Sequence, residues 1–153
     1  MAGAKTKSSE LCLEEALAKG RVEFWYQPKV NLQRKQLVGL ETLARIRHPE
    51  LGVVAAREIV PAAKTETATA LSEQALISSL KASHRLREIG LSEVSFAINM
   101  QIDALVRLPI NGLIQKYCTV EPSPRLIFDI SEKEVMAHIP EIHAIEKKLK
   151  RHG

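Results

Sequence analysis

The sequence predicts an α/β fold: a largely parallel sheet with helices outside it and an antiparallel pair of strands at its start. Three observations carry this. Helical and strand-type segments alternate along most of the chain, the pattern of a parallel sheet wrapped by helices. The first two strand-type runs, Val22 to Val30 and Leu37 to Ile46, are separated only by Asn31-Leu32-Gln33-Arg34-Lys35-Gln36. A parallel pair needs a crossover of about a dozen residues or more, so this short polar break makes the pair antiparallel. Finally, 153 residues that are 45% hydrophobic suit one domain with enough apolar surface to offset its ordering entropy.

Taken in order, Met1 to Ser9 reads as a flexible leader whose last residue could cap a first helix. In that helix Leu11, Leu13, Ala16 and Leu17 recur at helical spacing and Gly20 supplies a stop. The Val22–Val30 run is rich in aromatic and branched residues, as strands are. After His48-Pro49 and Gly52 the pattern becomes helical, with a short helix expected over Ile59 to Ala63 and a long one over Thr67 to Ile89, closed by Gly90. Leu71, Ala75, Leu76, Leu80 and Leu86 form its apolar face. Val94 to Met100 is a short strand, and Ile102 to Tyr117 a helix interrupted near Pro109 and Gly112. The turn-rich Glu121-Pro122-Ser123-Pro124 precedes a strand over Arg125 to Ile130. Ile139 to Arg151 is a helix, with Pro140 tolerated in its first turn and Gly153 as its cap.

Composition excludes several classes. No apolar run approaches the ~20 residues that cross a bilayer, and the polar start lacks a secretory signal. Lys and Arg number 22 against 18 Asp and Glu, a net charge of +4. The excess gathers mainly at Lys147-Lys148-Leu149-Lys150-Arg151-His152, where cations suit a helix C-terminus; a small anionic ligand is the alternative. Only 4% of residues are aromatic, which argues against a nucleic-acid polymer as partner. Cys12 and Cys118 stand far apart, without metal or redox spacing, in keeping with a reducing cytoplasm and inert packing. His84, His138, His143 and His152 lack ligand spacing and read as surface or structural residues. Trp25 and Tyr26 read as core residues of a strand, with nucleotide stacking as the alternative. No glycine pattern supports a serine nucleophile.

Three polar sets fall at or near predicted strand ends: Glu41 with Arg45, Asn99, and Asp129 with Glu132. In α/β barrels functional groups gather at strand C-termini, because the loops there converge on one mouth. Carboxylate and amide oxygens are the ligands Mg²⁺ and Mn²⁺ prefer. An arginine fork on the same strand face suits a phosphate.

The local strings sharpen this reading. Tyr26-Gln27-Pro28-Lys29-Val30 followed by Leu37-Val38-Gly39-Leu40-Glu41-Thr42-Leu43-Ala44-Arg45 resembles the opening of the EAL domain family. The likeness continues through His48-Pro49, Gly52, Ile59-Val60-Pro61 and Ala63. Phe96-Ala97-Ile98-Asn99-Met100 is similar to the family's "VNLS" strand, and Phe128-Asp129-Ile130-Ser131-Glu132 to its "E-x-T-E" strand. The literal Glu15-Ala16-Leu17 lies on the leading helix and is helix composition; the signature position is Glu41-Thr42-Leu43, with Thr in place of Ala.

The resemblance runs from about Leu11 to Gly153, leaving residues 1–9 as leader and 10–153 as the N-terminal portion of such a domain. It implies an incomplete TIM-like (β/α) barrel whose first strand is antiparallel, with about four of the eight strands present. It implies cyclic di-GMP signalling, the family reaction being metal-dependent hydrolysis of cyclic di-GMP to the linear dinucleotide. By resemblance Glu41, Asn99 and Asp129 fall on metal ligands, Gln27, Leu43 and Arg45 on positions contacting the dinucleotide, and Glu132 on a loop-bracing acid. Mg²⁺ or Mn²⁺ is the implied cofactor. Asp129 stands where the family has Glu, one methylene shorter, which predicts weaker metal binding. Ile46, Ala56, Lys64 and Thr67 stand where the family usually has Trp, Pro, an acid and Gly.

The family's later "DDFG" strand, with two metal-binding aspartates, and its catalytic Lys have no counterpart in these residues. Two expectations follow. The chain alone is inactive or very poor in hydrolysis, since a two-metal site needs ligands from both halves. It also self-associates or depends on a C-terminal half, because an open half barrel leaves unpaired sheet edges. Two hypotheses stand: part of an active phosphodiesterase, or a non-catalytic module that senses cyclic di-GMP or docks a protein partner.

Overall fold

The computed structural model describes residues 13–56, 60, 63–118 and 123–149. A first helix, α1, is described over 13–18. There follow β1 (Val22–Asn31), β2 (Gln36–His48), β3 (Gly52–Ala55), α2 (Thr65–Glu88), β4 (Ser95–Asn99), α3 (Ile102–Arg107), α4 (Ile110–Tyr117), β5 (Leu126–Asp129), α5 (Glu132–Ala137) and α6 (Ile139–Leu149). The five strands form one sheet in the order β1-β2-β4-β5, with β3 also on β2.

As expected, β1 and β2 are antiparallel, whereas β4 and β5 join β2 in parallel. Their turn is built by Asn31, whose side-chain oxygen accepts the backbone N–H groups of Gln33 and Arg34 at 3.1 and 3.0 Å. Lys35 completes it at φ 52°. β1 flanks β2 along most of its length, so β3 and β4 share the other side: β4 against Gly39–Thr42, β3 against Arg45–His48. At the β2–β4 contact Gly39 allows a close approach: a Cβ there would lie 2.7 Å from the Ser95 hydroxyl oxygen and 3.3 Å from the Ser95 carbonyl oxygen, so the serine side chain would have to turn.

Alternation along the strands gives the sheet two unlike faces. Phe24, Phe96, Ile98 and Phe128 face the helices, meeting Leu76 and Leu80 of α2, Leu105 of α3 and Ile110 of α4. A second cluster joins Leu13 and Ala16 of α1 to Ile46, Ala56 and Leu71. Ile46 and Ala56, two of the departures from the family pattern, are therefore core residues at 1% and 2% exposure. Lys64 and Thr67, the other two, both reach Glu14 on α1, at 3.1 and 3.3 Å. Thr42 is buried with its hydroxyl 2.8 Å from that of Ser79. The polar atom it adds at the signature position thus has a partner, as buried polar atoms need.

Several expectations require correction. Gly52–Ala55 is a strand, not the start of helical structure; its two valines complete a hairpin with the end of β2. Gly112 does not interrupt a helix: the break is at Leu108-Pro109, where Leu108 is extended (ψ 137°), as a residue before proline prefers. α5 was not anticipated, and Ser131 caps it. Trp25 is not core but 49% exposed, because it lies on the face away from the helices. Tyr26, on the other face, is partly buried. Gly20 and Gly90 end α1 and α2 at φ 62° and 82°, as the sequence led us to expect. The leader, Cys12, most of the Ile59–Ala63 segment, Glu121-Pro122 and the Lys150–Gly153 end lie outside the described residues.

Candidate functional site

The parallel strands bring their C-terminal ends to one side of the sheet, and the groove that opens there has a volume of about 760 Å³. Its floor is Glu41, Thr42, Leu43 and Ala44 of β2, with Asn99 and Asp129 at the ends of β4 and β5. One wall is α2, through Ala68, Leu71 and Ala75; the other is the segment after β5, through Ser131, Lys133, Glu134 and His138. An apolar groove with a few convergent polar groups is the usual form of a small-molecule site.

Four of the seven candidate site residues therefore line one groove: Glu41, Leu43, Asn99 and Asp129. Register accounts for it. Asn99 is directly opposite Asp129, and Glu41 is opposite Ala97, two residues before Asn99 on the same face. Glu41 is mid-strand rather than at a strand end, because β2 runs on past β4 to pair with β3. The Asn99 side-chain amide donates to Glu41 Oε1 at 3.2 Å, and Lys29 Nζ lies 3.9 Å from Glu41 Oε2.

Two carboxylates and a carboxamide provide the hard oxygen donors that suit Mg²⁺ or Mn²⁺. Among the described residues no group of three or more His, Cys, Asp or Glu side chains could hold a metal ion. The set consequently depends on the Asn99 carboxamide oxygen beside the Glu41 and Asp129 carboxylates. In chemical kind the donors fit a hard divalent cation.

Gln27, Arg45 and Glu132 do not line the groove. Gln27 is opposite Glu41 on β1, exposed and on the same sheet face. Arg45, on that face two residues beyond Leu43, donates from Nη1 to the Ala44 carbonyl at 3.0 Å, with its guanidinium carbon 5.4 Å from the centre of the Trp25 ring. Glu132 is exposed. The acid that ties two loops together is Glu134. One carboxylate oxygen accepts the Ser131 hydroxyl at 2.7 Å, and the other accepts the backbone N–H of Ile102 at the start of α3, at 3.4 Å. Sequence reasoning missed Glu134, although the signal was present: Ser131 with an acid three residues on is a capping-box pattern. His138 was read as structural and does bond the Glu134 carbonyl at 3.1 Å, yet it also lines the groove.

A mostly parallel α/β sheet whose polar side chains converge on one groove is the arrangement in which barrel-type α/β domains place their sites. Residues 12–153 match the EAL domain family, and the chain belongs to that family. It is similar to the bifunctional diguanylate cyclase/cyclic di-GMP phosphodiesterase MucR of Pseudomonas aeruginosa, at 27% identity over 130 residues, which is 81% of this chain and 18% of MucR. It is also similar to the cyclic di-GMP phosphodiesterase PA2567 of the same species, at 46% identity over 52 residues, 33% of this chain and 9% of that protein.

Among solved structures, the PaMucR phosphodiesterase in complex with c-di-GMP matches with a TM-score of 0.81 at 23% identity, covering 95% of this chain and 60% of that one. The FimX EAL domain from Pseudomonas aeruginosa bound to c-di-GMP matches at 0.72 and 18% identity, covering 96% and 59%. The chain thus spans under a fifth of these two curated relatives' length and about three fifths of these two solved chains. No helix among the described residues is long and apolar enough to cross a membrane.

Proposed function

We propose that this chain is a cyclic di-GMP-binding portion of an EAL domain. In this reading Arg45, Gln27 and Leu43 receive the dinucleotide, and Glu41, Asn99 and Asp129 hold the metal side. The observation that carries it is the convergence on one groove of Glu41 and Leu43 from within β2 with Asn99 and Asp129 from the C-terminal ends of β4 and β5. Family membership, and the c-di-GMP named with the MucR and FimX structures, support the choice of ligand.

The chemistry divides between the residues. Arg45 offers a planar fork of donors matched to a phosphodiester. Leu43 gives an apolar surface beside it. A Mg²⁺ or Mn²⁺ held by Glu41, Asn99 and Asp129 supplies Lewis acidity toward a phosphate oxygen. Glu41, Asn99 and Asp129 are the one such ligand set that this reading assigns among the described residues. In-line phosphodiester cleavage with two metals needs both attacking and leaving oxygens stabilised, so the polypeptide of these residues binds without turnover. The shorter reach of Asp129 acts in the same direction.

Calorimetric titration of the 153-residue chain with cyclic di-GMP in excess Mn²⁺ tests this. Saturable binding that Arg45→Ala weakens at least about tenfold is expected, since charge-assisted pairs are worth ~1.5–3 kcal/mol. Chelation of the metal should weaken it further, and the linear dinucleotide should not accumulate. Absence of binding, or binding indifferent to Arg45→Ala, would remove the proposal.

A further inference from the structure

We propose that Trp25 is a positioning residue for Arg45, holding its guanidinium away from Glu23 so that its charge and donors stay available to an anionic group of the ligand. This rests on the reading of Arg45 as the dinucleotide contact. The natural partner of Arg45 is Glu23, directly opposite it in the β1–β2 register, and opposite-charge pairs in that position attract. Yet Glu23 is engaged elsewhere. One of its carboxylate oxygens accepts the indole N–H of Trp25 at 2.9 Å, and the other accepts Arg47 Nε at 2.8 Å.

Among the described residues Arg45 makes no ion pair. Its guanidinium lies 5.4 Å from the ring centre of Trp25, its diagonal neighbour on the same sheet face. The distinction matters chemically. A carboxylate would cancel the arginine's charge and occupy its fork, whereas a ring face attracts the cation electrostatically and leaves the in-plane N–H donors open. The exposure of Trp25 also acquires a reason. Burial favours so large an apolar ring, but this one is 49% exposed and is oriented by the bond to Glu23 rather than by core packing. Arg47, Glu23, Trp25 and Arg45 thus form a relay along one face, ending in a cation that bonds the Ala44 carbonyl through Nη1 and has its other N–H donors unpaired by any carboxylate among the described residues.

The test uses the full chain and needs no ligand for its first part. Trp25 is the sole tryptophan, so intrinsic fluorescence reports its contact with Arg45 directly. Arg45→Ala should shift or brighten that emission; unchanged emission would overturn the proposal. Titration with cyclic di-GMP in Mn²⁺ then compares the native chain with Trp25→Phe, Trp25→Ala, Arg45→Ala and the double variant Trp25→Ala/Glu23→Gln. Trp25→Ala should bind roughly three- to tenfold more weakly, the scale of a cation–π contact, and Trp25→Phe should retain most of the affinity.

The double variant should recover affinity, because Glu23→Gln removes the competing charge; a merely structural loss would not be recovered this way. Native affinity in Trp25→Ala alongside weak binding in Arg45→Ala overturns the positioning role and leaves the site reading intact. No binding by the native chain overturns the site reading and this role together.

Discussion

Tyr26 shows how neighbouring residues of one strand take opposite parts. Trp25 faces the open side of the sheet, whereas Tyr26 turns to α2, its hydroxyl 3.0 Å from the Ser78 carbonyl oxygen and 2.7 Å from the Ser78 hydroxyl. Its ring meets Phe96 edge-on, with centroids 6.0 Å apart. Burial raises the Tyr26 pKa above the ordinary value of 10.0, outweighing the opposing effects of the Ser78 hydrogen bond and the Arg85 charge. The folded chain therefore holds this proton more tightly than the unfolded chain. The resulting stabilisation is complete below about pH 10 and is lost as pH rises through the folded value. Urea unfolding across alkaline pH should show this loss, and Tyr26→Phe should flatten that part of the profile while costing about 1 kcal/mol at neutral pH for the missing hydrogen bond. An unaltered profile in the variant would assign the pH dependence to other groups. From the sequence Tyr26 and Trp25 are both strand aromatics; only the register separates core from open face.

Among the elements, α5 is the one most tied to the groove. Its N-cap is Ser131, whose hydroxyl oxygen accepts the Glu134 N–H at 3.4 Å, and Glu134 returns a carboxylate to Ser131 and to the backbone of Ile102. These contacts hold the segment after β5 against the start of α3, beside Asn99 and Asp129. Glu134→Ala should lower stability by about 1 kcal/mol through the lost capping and loop contacts. Ser131→Ala should cost a similar amount, and the double variant less than the sum, because the two share one network. Urea denaturation of the four proteins measures this; strict additivity would mean that the two side chains act separately. β3 and α5 are the elements the sequence pattern did not disclose. Each is short: β3 has four residues and pairs in a hairpin with the adjacent end of β2, whereas α5 is braced against the start of α3, about thirty residues away in sequence.

At the scale of the molecule, the described helices cover one sheet face and leave the other open. Ile127 of β5 is 40% exposed on the open face, as Trp25 is on β1, and these two strands are the ends of the sheet order. Open edges and exposed apolar side chains such as Trp25 and Ile127 favour association with another chain. We expect sedimentation velocity to show the 153-residue chain associating as its concentration rises, and Ile127→Lys to weaken that association. A monomer across the accessible range would instead show that Trp25, Ile127 and the edges are tolerated in water.

The sequence by itself determined the α/β class, the antiparallel start, the helix stops at Gly20 and Gly90, and the candidate acids and amide. Local chemistry governs all of these: strand and helix periods, turn residues, a break too short for a crossover. Family membership was likewise legible, since several ordered strings from Tyr26 to Glu132 carry it together. Tertiary structure alone decided which of those residues share a groove. Glu41 joins Asn99 and Asp129 through the β2–β4–β5 register, which fixes three positions across some ninety residues of chain. It also decided that Arg45 meets Trp25 rather than Glu23, and that Glu134 bonds both Ser131 and the start of α3. Such choices depend on side-chain distances across strands and between loops, and periodicity along a single chain has no information about them.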